Sequence, residues 1–246
     1  MRRIAVFSLL VAGCTAGPPP QDGQRLKTDA EEAFLRGDYA RAADGYQKYA
    51  DTRPADIAWA LLQLGRSFNG AEQWDRAVKA FSDCLAMHPP EEQRLQALYY
   101  RAIACGGAGK YRESLDDFNA AAAGRIDTAV PADEFAYRHA LAKIRAGDWT
   151  GGQAALKAFT AAFPQSAMIN DAKDRLALKS VCILLARAKD AAAAKTMIAG
   201  MKGVVAQAVA GARDVMIVTG SFKSAAEARA ELPKVQAVCK DAFVVP

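Results

Sequence analysis

Few residues in this 246-residue chain stand where they could do covalent chemistry. A hydrolytic triad needs a histidine held between a nucleophile and an acid. The two histidines, His88 and His139, are isolated, and nothing in the pattern around them gathers such a set. No Gly-x-x-x-x-Gly-Lys-Ser/Thr loop and no Gly-x-Gly-x-x-Gly turn is present to cradle a phosphate. The adjacent acids Glu91-Glu92 and Asp116-Asp117 read as solvated helix faces. Cys84, Cys105, Cys182 and Cys239 form neither a Cys-x-x-Cys pair nor a metal spacing with histidine. Disulfides Cys84–Cys105 and Cys182–Cys239 would each stay within one domain, and buried free thiols are the other reading. The expectation is a protein that is not an enzyme and has no metal or cofactor.

One cysteine has a different setting. Met1-Arg2-Arg3 is basic, Ile4–Val11 is apolar, and Val11-Ala12-Gly13-Cys14 comes next. An apolar run this short cannot span a bilayer core, which takes about 20 helical residues. A basic head, an apolar middle and small residues before a cleavage point read as an export signal. Ending on Cys14, it resembles a bacterial lipoprotein signal. That resemblance implies removal of residues 1–13, acylation of Cys14 and attachment to a membrane. Thr15 rather than Asp after the cysteine implies the outer membrane, with the protein facing the periplasm. Residues 14–23, with Gly17-Pro18-Pro19-Pro20-Gln21-Asp22-Gly23, read as a non-helical spacer. The net charge of +5 includes Arg2 and Arg3, and the other cations lie scattered among nearly as many acids. No basic stripe points to nucleic acid.

Self-similarity organises the chain beyond residue 23. Gly37-Asp38-Tyr39-Ala40-Arg41-Ala42 leads to Tyr46, Tyr49 and Pro54. Trp74-Asp75-Arg76-Ala77 leads likewise to Phe81, Cys84 and Pro89, and Gly109-Lys110-Tyr111 to Phe118 and Ala121. A fourth copy runs Gly147-Asp148-Trp149, Leu156, Phe159 and Pro164. The anchors Tyr39, Trp74, Tyr111 and Trp149 are 35, 37 and 38 residues apart. This resembles the tetratricopeptide repeat, with a period of about 34. Small residues at Ala30, Gly65, Ala102 and Ala140 let paired helices approach, and Gly37, Gly109 and Gly147 end their first helices in a left-handed turn. Ser166 to about Leu178, with Ser166 as N-cap, reads as a terminal capping helix.

From Ser180 the pattern changes. Ser180–Leu185 and Val215–Thr219 are β-prone, each is followed by a helix (189–202 and 225–238), and 241–246 is a further strand. A shift of 34 residues lays Val181, Ile183, Lys189 and Ala191 on Val215, Ile217, Lys223 and Ala225, as in two βαβ halves. The second half, from Ile217 to Phe222 and from Ala242 to Val245, resembles the SPOR (sporulation-related repeat) domain. That resemblance implies a four-stranded sheet backed by two helices, with peptidoglycan glycan strands bound through Val218, Thr219, Ser221, Phe222 and Lys223. Where that family usually places a polar residue on the open sheet face, this chain has Val218 and, in its first half, Leu184.

The expected architecture is therefore an α-helical tetratricopeptide solenoid of about four helix pairs plus a capping helix over 24–178. A small α+β domain over 179–246 completes it. The resemblance to the solenoid family implies a groove lined by Phe34, Trp59, Leu62, Arg66, Asn69, Tyr99, Tyr137 and Ile144. It would hold a protein partner as an extended segment or helix. The chain as a whole reads as an envelope-anchored adaptor with a glycan-binding end. It also resembles the repeat lipoproteins of β-barrel assembly and the Tol system, which would make it a scaffold without glycan binding.

Overall fold

A computed structural model describes residues 20–52, 55–124 and 130–245. Cys14, the signal and Pro54 lie outside these residues. Eight helices form four hairpin pairs: α1 (Pro20–Leu35) with α2 (Tyr39–Asp51), α3 (Ile57–Gly70) with α4 (Trp74–Ala86), α5 (Glu91–Gly107) with α6 (Tyr111–Ala122), and α7 (Ala132–Arg145) with α8 (Trp149–Ala162). The expected spacer ends earlier than its prolines suggested, because α1 starts at Pro20. A helix's first turn tolerates proline, because its first N–H groups have no partner within the helix.

The hairpins turn as the repeat requires. Gly37, Gly109 and Gly147 take φ of +76°, +80° and +98°, a region open to a residue without Cβ. In the second hairpin Glu72 occupies the same place at φ +56°. Asp38 and Asp148 then cap α2 and α8 by accepting the Arg41 and Gly151 amides at 3.2 and 2.9 Å. Phe81 is fully buried against Gly65, where a Cβ would come 2.5 Å from its ring. The anchors have a further role between pairs. A Cβ on Gly70 would lie 2.6 Å from the Tyr39 ring, and one on Gly107 would clash with the Trp74 indole. Tyr39 and Trp74 thus each seat on a glycine at the end of the next pair's first helix.

The capping segment begins later than expected. Its helix α9 spans Ile169–Ala177. Ser166 instead holds the preceding turn, accepting the Met168 amide and donating to Asp133 at 2.7 Å.

Beyond α9 the order is β1 (Val181–Ala188), α10 (Ala191–Gly200), β2 (Ala206–Ala210), β3 (Val215–Phe222), α11 (Ala225–Gln236) and β4 (Phe243–Val245). The sheet runs β2-β3-β1-β4 with each neighbouring pair antiparallel, a split βαβ arrangement. The 34-residue offset is visible in the caps: Asp190 and Ser224 accept the Ala193 and Glu227 amides at equivalent places. β1 starts one residue later than expected and β3 at the expected position, each ends three residues further on, and β2 had no sequence signal.

The two parts share a core. Tyr137, Leu156, Phe159 and Ala172 of the solenoid belong to the same buried cluster as Val181, Ile183 and Ile217 of the sheet. Asp174 on α9, with its side chain 4 % exposed, pins the junction. It accepts from Arg187 of β1 at 2.8 Å and from the Ala212 amide, and Arg187 also reaches Asp214 at 2.6 Å.

Candidate functional site

The inner strip starts from the first helices of successive pairs, which lie side by side where α3 packs on α5. Trp59 of α3 is half-buried, with its ring edge-on to Tyr46 and Tyr49 at 5.9 and 6.2 Å. The Lys27 ammonium from α1 stands 4.0 Å above that ring, within range of a cation–π attraction. Two turns along, the Arg66 guanidinium lies between two rings, 5.1 Å from Phe34 of α1 and 5.2 Å from Tyr100 of α5. Gln63 accepts from Arg66 at 2.8 Å and fixes its rotamer. Asn69 donates to the Tyr100 carbonyl at 2.9 Å, while its Oδ1 is buried without a partner.

The strip therefore consists of Phe34, Trp59, Arg66, Asn69 and Tyr100, each neither fully buried nor fully exposed. Four expected members are elsewhere. Leu62, Tyr99 and Ile144 are at most 1 % exposed, and Tyr137 is 6 % exposed. Tyr99 packs edge-on to Phe118 at 6.0 Å and donates to Glu134 at 2.7 Å, and burial pushes its phenol far above the usual tyrosine range. Tyr137 packs on Phe159 at 5.5 Å. The accessible ring on α5 is the next residue, Tyr100. Successive residues on a helix point about 100° apart, so a register error of one exchanges a groove residue for a core residue.

The residues that first suggested chemistry have packing roles. His139 stacks on Phe118 at 5.9 Å and bonds Asn119 at 2.9 Å. Burial, and then Lys143, push its pKa down to about 4, so it is neutral at physiological pH. Asp117 is not on a solvated face: it is buried and takes a two-pronged ion pair from Arg101 at 2.7 and 2.8 Å. Cys84, Cys105, Cys182 and Cys239 are free thiols, and burial raises the first two to about 11. Among the described residues no three His, Cys, Asp or Glu side chains come together as a metal site. No described helix is long and apolar enough to cross a membrane.

On the C-terminal sheet the expected glycan residues separate. Val218 is fully buried, as is Leu184, in a cluster with Met216, Cys182 and Val245 that Leu178 and Trp149 cover. The face expected to be open is thus covered over Val218 and Leu184 and stays accessible along β2, at Gln207 and Val209. Thr219 is also buried and donates to the Val205 carbonyl at 2.6 Å. Ser221 and Lys223 are exposed and Phe222 half-buried. Ser221 lies at the rim of a cleft of about 460 Å³ lined also by Lys179, Ser180 and Gln207.

Residues 59–90 and 134–166 match the tetratricopeptide repeat family, and both segments lie in the solenoid. No curated protein matches the chain. Among solved structures, MamA from Desulfovibrio magneticus RS-1 (residue 41 to its end) is 19 % identical with a TM-score of 0.52, over 63 % of this chain and 81 % of that one. A further crystal structure of MamA protein gives 15 % and 0.53, over 64 % and 80 %. A tetratricopeptide repeat protein from Parabacteroides merdae gives 16 % and 0.50, over 62 % and 57 %. At these identities the likeness is one of fold. The chain carries tetratricopeptide repeats in a solenoid, a fold consistent with protein–protein interaction.

Proposed function

We propose that this protein is a non-enzymatic adaptor, held at the bacterial envelope by lipid on Cys14, that holds a protein partner along its inner strip. The observation that carries the reading is the accessible row of Trp59, Arg66 flanked by Phe34 and Tyr100, and Asn69 with its unused acceptor. Aromatics and arginine are the side chains that most often dominate binding energy. Here they are held by packing before a partner arrives, so little side-chain entropy remains to be lost. The basic–apolar–Cys14 sequence supports the anchor and, with Thr15, an outer-membrane position facing the periplasm.

Envelope extract passed over the immobilised chain tests the reading. Wild type should retain a discrete protein that Arg66→Glu, or Trp59→Ala with Tyr100→Ala, loses by at least about tenfold. Retention unchanged in both variants, with folding confirmed by circular dichroism, would sink it.

Glycan binding is a second reading, favoured by the hydroxyl and amide groups of Ser180, Ser221 and Gln207 around the 460 Å³ cleft. It would engage the sheet's rim, since Val218 and Leu184 lie beneath Leu178 and Trp149. Cosedimentation of the full chain with sacculi stripped of stem peptides, lost on Ser221→Trp, is expected from this reading. Absence of cosedimentation leaves a scaffold of an envelope assembly machine, of β-barrel-assembly or Tol type, as the role of the same inner strip.

A further inference from the structure

The ends of the solenoid's first helices contain a departure from their own pattern. Gly70 and Gly107 accept the rings of Tyr39 and Trp74, and the equivalent position of the fourth pair, under Tyr111, is Arg145. Arg145 is partly buried at the end of α7 and makes no hydrogen bond or ion pair among the described residues. Burial, and then the neighbouring Arg175, Arg138 and Arg229, push its pKa down to about 10, so it stays charged at neutral pH. Arg138 and Arg175 have carboxylates, Glu134 at 2.8 Å and Asp171 at 2.6 Å. Arg229, exposed on α11, donates to the Gly107 carbonyl at 3.3 Å and lies 5.8 Å from the Tyr111 ring centre. Among the described residues, neither Arg145 nor Arg229 has a carboxylate partner.

Both face one cleft of about 280 Å³ between the solenoid and the C-terminal domain. Its remaining walls include Tyr111, Leu232 and Phe243, the last 53 % exposed. A second cavity of about 80 Å³ adjoins it, sharing Gly106 and Arg145, and is lined by Tyr137. The Tyr137 hydroxyl is buried without a hydrogen-bond partner. A buried polar group ordinarily has a hydrogen-bond partner, and an unpaired buried cation is costlier still. Two guanidinium groups on one cleft, neither with a carboxylate, are what a bound anion would satisfy.

We propose that the cleft between the α5–α6 turn, the end of α7 and α11 binds a small organic carboxylate, its oxygens held by Arg145 and Arg229 and its apolar body against Phe243 and Leu232. The guanidinium fork matches a carboxylate with two parallel bonds. At roughly 30 Å³ per water, the cleft holds a ligand of around ten heavy atoms. One group from each domain touches the ligand, so binding clamps the domain junction. The proposal is independent of the inner strip, which lies on other residues.

Calorimetric titration of the full chain with 3-phenylpropionate, its neutral amide 3-phenylpropanamide, and inorganic phosphate tests it. Saturable binding of the acid is expected, at least about tenfold weaker in Arg145→Gln and in Arg229→Gln, with little binding of the amide or phosphate. Arg229 is exposed, so its variant folds whatever Arg145 does for packing. The free Arg145→Gln protein is also expected to melt higher than wild type, because an unpaired charge is gone. No saturable binding of the acid, equal binding of the amide, preference for phosphate, binding indifferent to both substitutions, or a lower melting temperature for Arg145→Gln would each overturn the proposal.

Discussion

Removal of Arg187 should show how tightly the sheet is fastened to the solenoid. Arg187 meets Asp174, whose side chain is 4 % exposed, and Asp214, whose side chain is 28 % exposed. In Arg187→Met, Asp214 can turn to water, but Asp174 keeps only the Ala212 amide as a donor. Breaking a buried pair from one side costs about 3–5 kcal/mol, because the other charge is left uncompensated. The partial exposure of Arg187, 37 %, places this variant at the lower end, about 3 kcal/mol. Asp174→Ala leaves a different remainder. Arg187 keeps Asp214 and contact with water, so the loss is one charge-assisted bond and one orphaned amide, about 2–3 kcal/mol together. The double variant should cost less than the sum of the two, since both remove the same contact. Urea unfolding at neutral pH, followed by circular dichroism, measures all three. Additive effects, or single losses below about 0.5 kcal/mol, the scale of an ordinary surface change, would refute the idea that this pair joins the two parts.

Other consequences concern the solenoid. Burial has lowered the pKa of His139 to about 4 from an ordinary 6.5, so between those values the unfolded chain binds more protons than the folded one. Stability should therefore fall as pH drops through that window, by about 1–3 kcal/mol with allowance for its partial exposure. His139→Gln, which can keep a bond to Asn119, should flatten the wild-type fall, and parallel curves would argue against it. Glu72→Gly should raise the melting temperature, because a left-handed non-glycine costs about 1–2 kcal/mol against about 0.5–1 kcal/mol of glycine chain entropy. A decrease would mean that the Glu72 side chain contributes more than its strain costs. Gly107→Val should lose at least about 2 kcal/mol by overpacking against Trp74, measured in the same urea series. A neutral result would show that the ring has room to move.

The solenoid was readable in the sequence because its determinants are local and recur. The left-handed Gly37, Gly109 and Gly147, the caps Asp38 and Asp148, and the buried Phe81, Phe118 and Leu156 each act within one hairpin. The inner strip was only half readable. Phe34, Trp59, Arg66 and Asn69 follow from register, but Tyr99 and Tyr100 are both aromatic, and only packing against Phe118 and Glu134 decides which one is buried. Asp117 looked solvated because its partner, Arg101, lies in the preceding helix, out of reach of a local reading. β2 escaped notice because Ala206-Gln-Ala-Val-Ala has a single β-branched residue and runs along a sheet edge. The covering of Val218 and Leu184 depends on Leu178 and Trp149, distant residues whose docking no strand pattern reveals.

The central claim is that the inner strip holds a protein. The most direct measurement is photocrosslinking in cells, with benzoylphenylalanine in place of Phe34 or Tyr100 on that strip, or of Lys79 on α4, whose side chain is 77 % exposed. A discrete adduct of one mass is expected from both strip positions, absent from position 79 and lost when Arg66→Glu is added. Adducts that form equally at position 79, or survive Arg66→Glu, would contradict a partner held on this strip.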